Sequence, residues 1–211
     1  MAAGQDVQAL RAGFLTALLV LSGCSFQLDI ANRNSAGTTI ICFGDSLTEG
    51  VGASPGQDYP SLLSRGLGRE VINAGVAGET TRDGLKRLDR DVLERNPLLV
   101  IVEFGGNDFL QQISKAEIFA NLDEMIRRIQ ERGAMVMLVG VQPGLWGDAA
   151  RADFRRIAKA HRAAFLPNIL EGILTDSALK SDTLHPNDAG YERIAERILK
   201  VVKPLLEGRS S

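Results

Sequence analysis

The sequence is poor in the residues that stabilise small secreted domains, ligate metals or bind polyanions. Its 211 residues include only two cysteines, two histidines and one tryptophan. Lys and Arg (24) nearly balance Asp and Glu (26), which gives a formal net charge of −2. Without a basic surface, nucleic acid is not an expected partner. So few cysteines and histidines also leave too few ligands for a closed metal site.

The two cysteines lie in different settings, so no disulfide is predicted. Cys42 lies inside the apolar run 39–43 and is typical of a small buried hydrophobe. Cys24 follows the apolar block 14–21, which has the length of the hydrophobic region of a signal peptide and is short for a membrane span.

The segment Leu21-Ser22-Gly23-Cys24 resembles a bacterial lipobox. Cleavage before Cys24 would leave a lipidated N-terminal cysteine, and several acyl chains on one residue would anchor the protein to a membrane. The alternatives are an ordinary N-terminal helix, or a cleaved signal in which Cys24 is incidental. We therefore predict a lipoprotein-type signal peptide over 1–23, a flexible polar tether over 24–37 and one folded domain over 38–207, located in the bacterial periplasm or cell envelope.

The remaining sequence alternates short aliphatic runs with amphipathic stretches, which predicts an α/β fold with a parallel sheet. The predicted strands are nearly continuous apolar runs, as expected for strands covered on both faces. They are Thr39–Phe43, Glu70–Asn73, Leu98–Phe104, Ala134–Val141 and Ala163–Leu166. Helices are predicted between them, with one that ends at Gly133 and a last one that begins near Asn187.

Chemically suggestive residues follow three of these strands, at the edge of the sheet where such folds place their sites. Ser46 follows the first strand on a glycine-rich turn, Gly75 follows the second, and Asn107 follows the third. A serine hydroxyl there could act as a nucleophile, while a glycine amide and an asparagine amide could bind a developing oxyanion. The alternatives are a helix cap for Ser46, a glycine turn for Gly75 and an Asn/Asp turn for Asn107.

A late loop supplies a candidate base. Asp182 precedes His185 by three residues, a spacing that lets the carboxylate accept a hydrogen bond from Nδ1 and leave Nε2 free. Pro186 and Asn187 fit a helix start directly behind the histidine. The other histidine, His161, lies in a basic helical stretch and is predicted to be a solvated surface residue.

Four blocks of this sequence together resemble the SGNH/GDSL hydrolase family. They are Gly44-Asp45-Ser46-Leu47, the Gly75 loop, Gly105-Gly106-Asn107-Asp108 and Asp182-x-x-His185-Pro186, in family order between Ile40 and about Tyr191. The stretch Val102–Asp108 is most similar to bacterial periplasmic esterases with thioesterase, lysophospholipase and arylesterase activity.

The resemblance implies a fold and a set of roles. The fold is a flavodoxin-like three-layer α/β/α sandwich with a five-stranded parallel sheet in the order 2-1-3-4-5. Ser46 is the implied nucleophile, His185 the base and Asp182 its orienting carboxylate. The implied oxyanion hole consists of the amides of Ser46 and Gly75 and the side chain of Asn107. The implied protein is a monomeric esterase or thioesterase that needs no metal or cofactor, with a small-molecule or lipid ester as substrate.

Several residues outside the blocks have weaker interpretations. Leu145 and Trp146 could form a wall of an acyl pocket, or Trp146 could pack on the next helix. Glu103, a carboxylate within a strand, is expected to accept local hydrogen bonds, and Asp45 is expected to brace the nucleophile turn. A dinucleotide-binding motif would need its third glycine at the position of Pro55, so the sequence does not complete that motif.

Two alternative functions use the same residues. One is an acetyl esterase that acts on O-acetylated cell-wall or polysaccharide sugars. The other is a lipoprotein that binds a ligand on this fold without catalysis, although the complete set of reactive residue types disfavours it.

Overall fold

The computed structural model describes residues 29–141 and 147–207. Within them, five parallel strands form one sheet in the order β2-β1-β3-β4-β5, which confirms the predicted topology. The strands are β1 (Thr39–Gly44), β2 (Val71–Gly75), β3 (Pro97–Glu103), β4 (Met135–Val139) and β5 (Ala164–Leu166). Because all five are parallel, their carboxyl ends lie at the same edge of the sheet.

Helices connect consecutive strands, as the alternating sequence pattern predicts. In the described ranges the α-helices are α1 (Ser46–Glu49), α2 (Tyr59–Leu67), α3 (Thr81–Asp91), α4 (Gly106–Leu110), α5 (Lys115–Glu131), α6 (Gly147–Ala160) and α7 (Asp188–Leu206). Short 3₁₀ turns occupy Leu93–Arg95 and Ser177–Leu179. Asn187 caps α7 by accepting a hydrogen bond from Gly190 N, so the predicted start of this helix is correct.

The helices form two layers on opposite faces of the sheet. Ile40 and Cys42 of β1 point into a core shared with α2 and α7, whereas Ile41 and Phe43 point into a second core shared with α3, α5 and α6. Every residue of β3 is buried, because the strand is covered on both faces. Each fully buried aliphatic side chain contributes about 1.5–3 kcal/mol. The three-layer prediction is confirmed.

Helix α5 follows its sequence pattern closely. Five apolar positions recur at helical spacing and are all fully buried, namely Ile118, Leu122, Met125, Ile126 and Ile129. Ser114 caps the helix by accepting from Glu117 N, and Gly133 adopts a φ of 82° just beyond its end. The glycine allows the left-handed turn that leads directly into β4.

Strand β4 is shorter than the predicted strand Ala134–Val141. Residues beyond its end are still buried, but they do not belong to the strand ladder. The strand ends at Val139. Gly140 instead donates to Leu166 O and accepts from Ile169 N, and a side chain at Gly140 would collide with the carbonyl of Pro167. Val141 is buried outside the ladder, so its hydrophobicity extended the predicted strand.

Residues 29–37 were predicted to belong to a flexible tether, and the structure corrects this. Ile30 is buried against the domain. The side chain of Asn32 donates to the carbonyls of Gln130 at 2.7 Å and Ala134 at 3.0 Å. The polar composition suggested solvation, but the Asn32 amide instead donates to two backbone carbonyls at and just beyond the C-terminal end of α5.

The predicted signal peptide and Cys24 lie outside the described residues. Among the helices of the described ranges, none has the length and hydropathy needed to cross a membrane. Cys42 is a free thiol in the core, as its apolar setting predicted.

Candidate active site

Ser46 lies at the carboxyl end of β1, in the first turn of α1. Asp45 caps this helix, because its Oδ1 accepts a hydrogen bond from Leu47 N at 3.0 Å. Gly50 ends it one turn later in a left-handed conformation with a φ of 100°. Ser46 is therefore not the helix cap, which removes the alternative explanation for this serine. Its backbone N–H has no protein acceptor among the described residues.

Asp182 holds the histidine loop through three hydrogen bonds. Its Oδ1 accepts from the backbone N–H groups of Leu184 at 2.7 Å and His185 at 2.8 Å, while its Oδ2 lies 2.8 Å from His185 Nδ1. These donors lower the pKa of Asp182 to about 2, with the Leu184 amide as the largest cause. The carboxylate stays ionised, and Nδ1 carries the proton that it accepts.

The two ends of the domain meet at Ser46. His185 Nε2 lies 3.0 Å from Ser46 Oγ, although 139 positions separate the residues in the chain. Asp182, His185 and Ser46 thus form a continuous hydrogen-bonded chain, the arrangement in which a histidine can withdraw a serine proton. The side chain of His185 is 19% exposed, so the imidazole is open to one side.

Asn107 lies beside this chain at the start of α4. Gly105, with a φ of 119°, makes the turn from β3 into the helix. The amide nitrogen of Asn107 donates to Asp45 Oδ2 at 3.1 Å and to the carbonyl of Glu79 at 2.9 Å. Both amide hydrogens therefore have protein acceptors in this state, and the group faces the same cavity as Ser46.

The glycine that lines the cavity is not the one expected to supply a backbone amide, but another in the same loop. Gly75 is absent from the cavity wall, and its N–H donates to Asn73 Oδ1 at 2.9 Å. Gly78 lines the cavity with a φ of 81°, and no described residue accepts from its N–H. The loop contains two glycines three residues apart, and the sequence alone did not show which would face the site.

A cavity of about 260 Å³ opens over Ser46, Asn107 and His185. Its wall is mainly aliphatic, and includes Leu47, Val51, Leu110, Leu170, Leu174 and Leu184. Leu110 is 60% exposed and Leu184 is 42% exposed, so two large apolar side chains remain in contact with solvent at this cavity. Leu145 and Trp146, predicted as a possible pocket wall, lie outside the described residues.

Known proteins are similar to this chain over most of its length. Residues 42–193 match the GDSL-like Lipase/Acylhydrolase family. This chain belongs to that family. The esterase TesA of Pseudomonas aeruginosa is 33% identical over 199 residues, covering 89% of this chain and 98% of that protein. Thioesterase 1/protease 1/lysophospholipase L1 of Escherichia coli (strain K12) is 29% identical over 189 residues, covering 86% and 91%. A crystal structure of TesA covers 80% of this chain and all of that one, with a TM-score of 0.75 and 32% identity.

Arg87 is a residue of this GDSL-family site that sequence reasoning missed. Its guanidinium donates to the carbonyls of Gly44 at 3.0 Å and Ala74 at 2.9 Å, at the carboxyl ends of β1 and β2. It also lies 4.4 Å from the centre of the Phe43 ring, a cation–π contact. Arg87 thereby fixes the strand ends that lead to Ser46 and to the Gly78 loop. A lone arginine in an amphipathic helix carries no sequence signal of such a role.

The expectations for Asp45 and Glu103 agree with their contacts. Asp45 braces the turn that carries Ser46 through Leu47 N and is also hydrogen-bonded to Asn107. Glu103 Oε2 accepts from Thr48 Oγ1 at 2.8 Å and from Asp45 N at 3.4 Å. Both carboxyl groups are buried beneath the turn that carries Ser46.

His161 is not the solvated residue that its basic surroundings suggested. Its side chain is 16% exposed, and its Nε2 lies 2.7 Å from Asp123 Oδ1. The pairing joins the end of α6 to α5, far along the chain from the site residues. Within residues 29–141 and 147–207, no cluster of three or more His, Cys, Asp or Glu side chains could hold a metal ion.

Proposed function

We propose that this chain is a serine esterase that hydrolyses carboxylic esters or thioesters through an acyl-serine intermediate. The observation that carries the proposal is the hydrogen-bonded chain from Asp182 through His185 to Ser46, beside a largely apolar cavity. Family membership and the esterase and thioesterase names of the relatives support the same chemistry.

The geometry supports a two-step acyl transfer. Ser46 Oγ attacks the substrate carbonyl while His185 Nε2 takes the hydroxyl proton, and Asp182 stabilises the imidazolium. His185 then gives that proton to the leaving alcohol or thiol as its bond to the acyl carbon breaks. A water molecule, deprotonated by the same imidazole, attacks the acyl-serine and releases the carboxylic acid with Ser46 restored.

Three donors are suited to the oxyanion of the tetrahedral intermediates. They are the backbone N–H groups of Ser46 and Gly78, which have no acceptor among the described residues, and the side-chain amide of Asn107. Asn107 can donate to the oxyanion if its side-chain amide turns one hydrogen away from its present acceptor. Gly78 replaces the earlier prediction of Gly75 because Gly78 lies at the cavity wall.

The cavity favours an acyl group longer than acetate. Its aliphatic wall offers little to bind the polar ring of a sugar, whereas an alkyl chain gains about 0.8 kcal/mol for each buried methylene. A series of nitrophenyl esters and acyl thioesters from two to twelve carbons tests this. We expect kcat/KM to rise with chain length beyond acetate, and a sharp preference for acetate would instead indicate the acetyl esterase alternative.

Replacement of Ser46 by alanine tests the nucleophile. We expect ester turnover to fall by about three orders of magnitude or more, and labelling by a fluorophosphonate probe to disappear. Ser177→Ala is the matched control, because Ser177 is an exposed serine of a 3₁₀ turn. Wild-type turnover in Ser46→Ala would remove Ser46 from the mechanism, and no labelling of the folded wild type would favour a non-enzymatic binding protein.

For location, we propose a monomer held in the bacterial cell envelope through a lipid on Cys24. The support is the lipobox-like segment that ends at Cys24. The intact mass of protein extracted from membranes tests the modification. A mature species that begins at any other residue would contradict it.

A further inference from the structure

Two carboxyl groups, those of Asp45 and Glu103, lie buried together beneath the turn that carries Ser46. Asp45 is 2% exposed and Glu103 is fully buried. The register of β1 and β3 pairs Gly44 with Glu103, which brings Glu103 next to Asp45, and the two carboxyl groups lie within hydrogen-bonding reach of each other. Two adjacent carboxylates in a dry interior repel, so such a pair is stable when it holds one proton.

The hydrogen bonds indicate which carboxyl group holds that proton. Glu103 Oε2 has two donors, the hydroxyl of Thr48 and the backbone N–H of Asp45. Glu103 Oε1 is buried, and no donor in the described part of the chain forms a hydrogen bond to it. A proton on the Glu103 carboxyl group turns one of its oxygens into a donor, for which the neighbouring carboxylate of Asp45 is an acceptor.

Asp45 differs from Glu103 in that hydrogen-bond donors reach both of its carboxylate oxygens. Its Oδ1 accepts from Leu47 N and its Oδ2 accepts from the amide of Asn107. A carboxylate that receives donors on both oxygens is stabilised in its ionised form. The contacts therefore indicate a neutral Glu103 and a charged Asp45.

Among the described residues, no lysine or arginine forms an ion pair with Asp45 or Glu103 that would neutralise a second charge. Arg87, the buried guanidinium at the end of β1, pairs with Glu79 and Asp91 instead. Burial raises the pKa of both Glu103 and Asp45. Among the described residues, the titratable groups that interact with the pair, apart from the imidazole of His185, are Cys42, Tyr59, Asp108 and Tyr191.

We propose that Glu103 is a positioning residue that stays protonated and donates a hydrogen bond to Asp45, so that a single buried negative charge holds both the Ser46 turn and the Asn107 side chain. The kinetic part of this proposal rests on the proposed function, because Ser46 and Asn107 matter only if they act on an ester. A second negative charge in the pair would oppose the oxyanion that develops nearby. Loss of the Asp45 charge would weaken its hold on Asn107.

Infrared spectroscopy tests the proton without any activity measurement. At neutral pH we expect the wild-type protein to show the carbonyl stretch of a protonated carboxylic acid, and Glu103→Gln to lose this band. Glu117→Gln, which changes a more exposed glutamate paired with Arg82, should retain it. If Glu103→Gln removes no such band, the proposal is wrong.

Kinetics test the positioning role with two variants of similar size. Glutamine can still donate an amide hydrogen to Asp45, so kcat of Glu103→Gln should stay within about threefold of wild type. Leucine cannot donate, so kcat of Glu103→Leu should fall about tenfold or more while KM changes little. Wild-type kcat in the leucine variant, or an equal loss in both variants, would overturn the positioning role.

These experiments distinguish a failure of the role proposed for Glu103 from a failure of the proposed esterase function. If Glu103→Leu does not fold, Glu103→Gln and the infrared band still give a result. A wild-type protein that neither hydrolyses esters nor labels at Ser46 would refute the proposed function, yet the band would still report the proton on Glu103. An active enzyme without that band would refute only the role of Glu103.

Discussion

At the scale of single residues, one carboxylate organises the whole histidine loop. Asp182 accepts hydrogen bonds from the backbone N–H groups of Leu184 and His185 and from the imidazole Nδ1. It therefore fixes both the loop and the tautomer of the ring. Its pKa of about 2 lies below the value near 3.9 of an unfolded aspartate. The ionised carboxylate therefore stabilises the folded state above about pH 4, and this contribution is lost as the pH falls towards 2.

The low pKa of Asp182 predicts how its removal depends on pH. Asp182→Asn should lower kcat by about 10²–10⁴-fold at pH 8, because asparagine cannot hold the same tautomer. Since the wild-type carboxylate is still ionised at pH 5, a deficit of about tenfold or more should persist there. Profiles of kcat between pH 5 and 9 check this, with exposed Asp89→Asn as control. Equal kcat values for the wild type and Asp182→Asn at pH 5 would show that the pKa of Asp182 is much higher than about 2.

Asn107 is expected to act mainly in the transition state. Asn107→Ala should reduce kcat by about a hundredfold or more, as for other side-chain oxyanion donors, with a small change in KM. Steady-state kinetics and the melting temperature, measured together, check this. If only the melting temperature falls, the bonds of Asn107 to Asp45 and Glu79 are structural and the amide takes no part in catalysis.

At the scale of elements, the site depends on the contact between the end of β2 and the four-residue helix α1. A Cβ atom at Gly75 would lie 2.1 Å from Glu49 N and 2.5 Å from the carbonyl carbon of Thr48. Both are backbone atoms of α1, so a side chain at this position has no room unless the helix moves. Gly75 therefore contributes close packing against α1, the helix that carries Ser46, which is a different role from the predicted oxyanion donor.

This packing role predicts the effect of Gly75→Ala. The substitution should destabilise the fold by about 1–3 kcal/mol through overpacking, and should lower kcat because α1 carries Ser46. Thermal unfolding and ester kinetics measure the two effects. Gly66→Ala is the matched control, since its new methyl group meets only the flexible end of the Leu199 side chain. A stable Gly75→Ala variant with reduced kcat alone would restore a direct role for Gly75.

At the scale of the whole molecule, the chain enters the domain on the side opposite the cavity. Asn32 bonds to the carbonyl of Ala134 just before β4, and Ala31 N donates to Arg162 O just before β5. Both contacts lie at the amino ends of strands, whereas Ser46 follows the carboxyl end of β1. From Cys24 to Ile30 the chain can span at most about 20 Å. An anchor at Cys24 would therefore hold the amino edge of the sheet towards the membrane.

This orientation predicts how an anchored protein would choose between substrates. On a soluble nitrophenyl ester, lipidated protein on vesicles and its soluble Cys24→Ser form should have the same kcat/KM within about twofold. On an ester embedded in those same vesicles, the anchored form should gain no advantage, since its cavity faces away from that bilayer. Parallel assays of the two forms on both substrates check this. Faster hydrolysis of the embedded ester by the anchored form would contradict the orientation.

The sequence predicted the elements of the fold well and the details of the loops less well. Strand and helix positions follow from hydrophobic periodicity, because burial in two layers imposes it on strands such as β3 and on helix α5. The ends of β4, the packing of residues 29–37 and the pairing of His161 depend on partners distant in the chain. Local composition has no means to report such partners, and each of these predictions needed correction.

What the sequence determined by itself is the α/β topology, the family and the residue types available for acyl transfer, because these depend on local pattern and on short motifs. Only the tertiary structure decided which groups meet. It brought His185 to Ser46 across 139 positions, placed Gly78 rather than Gly75 at the cavity, and set Glu103 against Asp45. The physical reason is that hydrogen bonds and desolvation act over a few ångströms of space, and separation along the chain does not specify those distances.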